Sequence, residues 1–123
     1  MSGRVRRRFE ASPSAIREAR AFLQSAVAGR FDPEVESDLV LVMSELASNA
    51  VRHAQTPFEV AIEVDDKIRI EVEDGSLDAP VLTAPTDTGG RGLAIIELLC
   101  DRWGVGFLGR GKCVWCEREL SER

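Results

Sequence analysis

Glu45, Asn49 and His53 recur at four-residue intervals within the run ELASNAVRHA. On a helix of 3.6 residues per turn they lie along one side, drifting slowly around the axis. Val35, Leu39, Val42, Met43, Leu46 and Ala50 project as one apolar stripe. The Glu45 and Asn49 pair then borders that stripe, and His53 drifts into it. A carboxylate and an amide on the margin of a core are costly unless they are paired or hold a ligand, so the row marks a candidate site. Satisfaction by backbone or water is the structural alternative.

Two further stretches could complete such a site. Phe58, Val60, Ile62 and Val64 alternate with Glu59, Ala61 and Glu63, a turn follows at Asp65, Asp66 and Lys67, and Ile68, Ile70 and Val72 alternate again. Extending the alternation turns Asp74 inward where the strand ends, so a carboxylate emerges from the core face at the edge of the sheet. Gly89, Gly90, Arg91 and Gly92 then lead into Leu93, Ile96, Leu99 and Cys100 at helical spacing. Backbone N–H groups at that helix start, with glycine admitting close approach, would make an anion site. An ordinary glycine-rich connector is the alternative.

These residues need elements to position them. Residues 4–10 read as an edge strand with Val5 and Phe9 turned inward. Ser12 and Pro13 start a first helix carrying Ile16, Ala19, Leu23, Ala26 and Val27, which Gly29 ends. Asp32 and Pro33 repeat the start signal for a second helix running to about His53, and Pro57 marks the break after it. Residues 77–89 hold prolines and turn formers without periodicity, which reads as a lid. Residues 103–108 and 112–119 form a second hairpin about Gly109, Arg110 and Gly111. Within it GFLGRGKC misses a phosphate-binding P-loop only by Cys113. A P-loop needs a helix after its lysine, whereas the following VWCEREL is strand-like.

The chain of 123 residues suits one domain over residues 1–123. A hydrophobic content of 44% with 30% charged residues is that of a soluble globular protein, and no apolar run is long enough to span a membrane. The charged N-terminus lacks the apolar segment of a signal peptide, so a cytoplasmic protein is expected. A net charge of −5 argues against a nucleic-acid surface. The basic run of Arg4, Arg6, Arg7 and Arg8 reads instead as the charged exposed edge of the first strand. Three cysteines, an odd number, point to free structural thiols in a reducing compartment. Cys113 and Cys116, three apart on a strand, point to opposite faces and cannot chelate one ion.

Taken in order, ELASNAVRHA, then DGS at the end of a strand, then GGRGL opening a helix resemble the three ATP-binding boxes of the histidine-kinase-like ATPase superfamily. Within it the small size, the E-L-x-x-N-A-x-x-H-A form, the DRWGV segment and the closing G-K-x-V-W resemble the anti-sigma-factor serine kinases. The resemblance extends over residues 8–119. It implies ATP and Mg²⁺ as ligands, with Asn49 coordinating the metal that bridges the phosphates and Asp74 accepting a hydrogen bond from the adenine amino group. Glu45 would be the general base for a serine hydroxyl. Gly90 and Gly92, with Leu93 beside them, would meet the phosphates, Arg91 would add positive charge in the transition state, and His53 would shape the nucleotide pocket. Hard oxygen ligands suit magnesium, and a carboxylate one turn away can reach an attacking hydroxyl. One departure stands out: Ser76 occupies a position where the family's first glycine box has glycine. The lid is also short and poor in glycine.

The fold expected is an α+β two-layer sandwich, a mixed, mainly antiparallel sheet covered on one face by three helices. The function implied by the resemblance is phosphorylation of a serine on an anti-sigma-factor antagonist together with sequestration of a sigma factor. It further implies a homodimer. Direct nucleic-acid and membrane contact are not expected. A nucleotide-binding regulatory module that sequesters a partner without phosphotransfer is the alternative. A sensor histidine kinase is disfavoured, because the only histidine, His53, belongs to the ATP motif.

Overall fold

The computed structural model describes residues 3–77 and 92–120. Strand β1 (Gly3–Phe9) is followed by helices α1 (Ser14–Val27) and α2 (Pro33–Asn49), and α2 continues into a π-helical turn (Ala50–Ala54). The hairpin β2 (Phe58–Val64) and β3 (Lys67–Asp74) precedes α3 (Gly92–Leu99), and β4 (Arg102–Leu108) with β5 (Gly111–Glu119) closes the fold. Among the described residues five strands form one sheet in the order β1-β2-β3-β5-β4. A mixed, mainly antiparallel sheet was the expectation; each pairing among the described residues is antiparallel.

Alternation decides which face of the sheet is dry. Phe58, Val60, Ile62, Ile68, Ile70, Val72, Val114 and Cys116 are buried on one face. There they meet Leu23 and Val27 of α1, Leu39, Val42, Met43 and Leu46 of α2, and Ile96 of α3. Helix α2 lies between α1 and α3, so the helix expected to carry the chemistry is the central one. Its start follows the sequence signal, with Pro33 in the first turn after Asp32. Helix α1 begins one residue later than its signal, at Ser14. Gly29, at φ +72°, takes the left-handed conformation after the helix, where a side chain would be strained.

Two apolar assignments need correction. Ile16 is only partly buried, and Ala15 takes the core position in the first turn of α1. Val5 is 44% exposed, whereas Phe9 is buried. Helix α1 covers β1 at its far end: the Phe9 ring stacks on Phe58 at 5.4 Å and meets the edge of Phe22 at 6.0 Å.

The other face of the sheet is a lattice of ion pairs. Arg4 lies 3.6 Å from Glu63 and 3.2 Å from Glu71, and Arg6 pairs with Glu59 and, at 3.6 Å, with Glu73. Arg69 joins Glu71 at 2.7 Å to Glu117 at 2.8 Å and lies over the Trp115 ring. Arg4 and Arg6 of the basic N-terminal run are thus held by the acidic residues of the neighbouring strands, in keeping with an edge strand and not with a phosphate-binding arm.

Candidate active site

Glu45 and Asn49 stand one turn apart on α2, both half-buried. Burial holds the Glu45 carboxyl above the usual glutamate value, opposed in part by the positive charge of Arg52. A carboxylate of raised basicity at the border of the core is suited to accept a proton. The side-chain oxygen Oδ1 of Asn49 is buried with no hydrogen-bond partner among the described residues. An orphaned amide oxygen costs free energy unless something outside the protein satisfies it. It is also a hard, neutral ligand of the kind magnesium takes, so the residue fits the metal that the sequence implies.

The π-helical turn follows directly. Its wider winding carries the chain out of the α2 phase, and it ends at Gln55, whose φ of 58° is left-handed and whose N–H donates to the Ala50 carbonyl at 3.0 Å. His53 is consequently exposed, together with Arg52. The drift of His53 into the apolar stripe, expected from regular α-helical spacing, does not occur, because the turn that carries it is not α-helical.

Asp74 does face the core at the end of β3, as its alternation requires. It does not stand alone there. Lys112 of β5 lies directly across in the strand register. Its ammonium donates to Asp74 Oδ1 at 3.0 Å and to Oδ2 at 2.9 Å, with both side chains nearly inaccessible. The Ser76 N–H also donates to Asp74 Oδ1 at 2.9 Å, so Ser76 contributes its backbone to holding the carboxylate. The approach depends on Gly111: a Cβ there would stand 2.1 Å from the Asp74 carbonyl oxygen.

The strand end is tied to the exit of α2. Thr56, two residues beyond the π-helical turn, accepts the Gly75 N–H on its hydroxyl at 2.8 Å, and β3 packs against that turn. Glu45, Asn49 and Asp74 are therefore held by joined elements. Gly90, Arg91 and the lid beyond Leu77 lie outside the described residues. Gly92 opens α3, with Leu93 next in its first turn.

Sequence reasoning overlooked Lys112 and Thr56. A signal for Lys112 was available: it alternates with Val114 and Cys116, so it had to point into the core opposite an inward-facing aspartate. The near P-loop is indeed a hairpin, since Lys112 lies in β5. Cys113 and Cys116 diverge to opposite faces as expected, and the Cys116 thiol is hydrogen-bonded to Cys100. Among the described residues Glu71, Glu73 and Cys113 cluster on the ion-paired face. Glu71 there already accepts hydrogen bonds from Arg4 and Arg69.

Residues 9–117 match the family model described as the histidine kinase-like ATPase domain. Among solved structures the chain is similar to the crystal structure of the RsbU and RsbW domains of Rv1364c from Mycobacterium tuberculosis, with a TM-score of 0.76 at 24% identity. The match covers 98% of this chain and 33% of that one. At that identity the likeness concerns the fold. No curated protein matches the chain.

Proposed function

The chain belongs to the histidine kinase-like ATPase family, and from that membership we propose that it binds Mg-ATP and phosphorylates a serine of an anti-sigma-factor antagonist. The observation that carries the reading is the buried Oδ1 of Asn49, without a hydrogen-bond partner among the described residues, one turn from a glutamate of raised pKa. Asn49 would hold Mg²⁺, which supplies charge neutralisation along the phosphates. Asp74 would accept a hydrogen bond from the adenine amino group at the opposite end of the nucleotide. Glu45 would take the proton of the serine hydroxyl as that oxygen forms its bond to the terminal phosphorus and the bond to ADP breaks. Arg91 would offset the charge that develops, and Gly90 and Gly92 would present N–H groups to the phosphates. His53, exposed at the helix exit, would border the nucleotide instead of taking part in proton transfer.

The same protein would sequester a sigma factor as a homodimer in the cytoplasm. Among the described residues no helix is long and apolar enough to cross a membrane. The motifs shared with anti-sigma-factor kinases support this reading, as does the fold held in common with a chain containing an RsbW domain. Incubation with radiolabelled Mg-ATP and a candidate antagonist tests it. Label should reach serine in the wild type and be lost in Glu45→Ala. Retention of ATP binding without any transfer would leave a sequestering module in place of a kinase.

A further inference from the structure

The buried Lys112 has no place in the reading above, and a lysine that is 2% exposed in the core calls for a reason. It does not fill an apolar gap. Its Nζ bridges both oxygens of Asp74, which uses two of the three ammonium N–H groups. The third has no partner among the described residues. On the carboxylate, Oδ1 accepts from both Lys112 and Ser76, whereas among the described residues Oδ2 accepts from Lys112 alone, which leaves one of its lone pairs unused. Among the described residues the pair therefore leaves one acceptor and one donor unused within a buried ion pair at the end of the sheet. The ammonium also neutralises Asp74, so the couple can read an uncharged base without leaving a net charge buried.

Adenine has the complementary edge, an N6 amino donor next to the N1 ring acceptor. We propose that Lys112 is a specificity residue for the nucleotide: its ammonium donates to purine N1 while Asp74 Oδ2 accepts from the N6 amino group. This rests on Asp74 meeting the base, as set out under Proposed function. Lys112 would give the site a direct, charged donor. Gly111 and the β3–β5 register set the position of that donor, because Lys112 and Asp74 are paired residues of adjacent strands.

Titration calorimetry of the unmodified protein with Mg-ATP and with the Mg complex of 1-deaza-ATP, which lacks only the N1 acceptor, tests this without relying on a variant. The analogue should bind at least about tenfold more weakly, the loss expected for one hydrogen bond to a charged group. Lys112→Met should bind the two nucleotides equally, which a purely structural lysine would not produce. Equal affinities in the wild type would overturn the role of Lys112 while leaving Asp74 as the reader of the amino group. GTP binding as tightly as ATP would also overturn it, since guanine presents its donor and acceptor in the reverse order. No ATP binding at all would remove the nucleotide site, and this inference with it.

Discussion

Lys112 places its ammonium 3.0 and 2.9 Å from the two carboxylate oxygens of Asp74, and the pair is buried at the end of the sheet. Taking both charges out of water is costly, and the geometry offsets that cost by engaging each carboxylate oxygen. A pair of this kind tolerates the loss of both partners better than the loss of one. Lys112→Met is expected to lower the unfolding free energy by about 3–5 kcal/mol, with the double variant Asp74→Leu/Lys112→Met closer to the wild type. Urea denaturation of the three proteins reads this. A cost below about 1 kcal/mol for Lys112→Met would show that the ammonium is not held as described.

Glu45 links stability to function. Its carboxyl is raised by burial, so the folded state binds a proton more tightly than the unfolded chain between the unfolded and folded values. Stability then falls as pH rises through that window and stays lower above it. Glu45→Gln should therefore melt at a higher temperature than the wild type at pH 7, while losing phosphotransfer. The two melting curves should converge below about pH 4, where the carboxyl is protonated in both states. An unchanged or lower melting temperature at neutral pH would contradict this.

Asn49→Ala should separate binding from folding. The replacement removes a buried oxygen that has no partner among the described residues, so stability should change by no more than about 1 kcal/mol. Magnesium-dependent ATP binding should fall by at least about tenfold. Titrations with and without the metal check the second point; a variant that still responds to Mg²⁺ as the wild type does would reassign the ligand.

Gly111→Ala brings a methyl group to within 2.1 Å of the Asp74 carbonyl oxygen, against backbone that cannot swing aside. A cost of about 1–3 kcal/mol is expected, with weaker ATP binding as Lys112 is displaced. Gly106→Ala, where nothing lies within 4 Å of the added carbon, serves as the control. Similar losses in both variants would mean that the approach of β5 to β3 is not the cause.

The thiols should react in a defined order. Its hydrogen bond with Cys116 lowers the Cys100 thiol, while burial and the nearby Glu71 and Glu73 carboxylates push Cys113 up to about 11. The hydrogen bond with Cys100 and burial raise Cys116. Timed alkylation with iodoacetamide at neutral pH, read by peptide mass mapping, should therefore label Cys100 first. Faster labelling of Cys113 would show that its surroundings are less protected than the fold implies.

Much of this arrangement was legible in the chain. Period-two alternation identified the buried face of β2 and β3 and turned Asp74 inward. Helical spacing, with proline at the start of α2, placed Glu45 and Asn49 on the margin of the core, where both side chains lie half-buried. These properties follow from local backbone geometry, which a short window of residues determines. His53 was misplaced because the π-helical turn breaks the period on which its position was projected. Val5 was misplaced because alternation gives the face of a strand but not how far the helices extend over it. Lys112 could be turned inward from sequence, yet its partner could not be named. The two residues stand 38 apart, and only the pairing of β5 with β3 sets one against the other. Side-chain direction is a local property of the chain; which two inward charges meet is decided by strand order and register, and those exist only once the sheet has assembled.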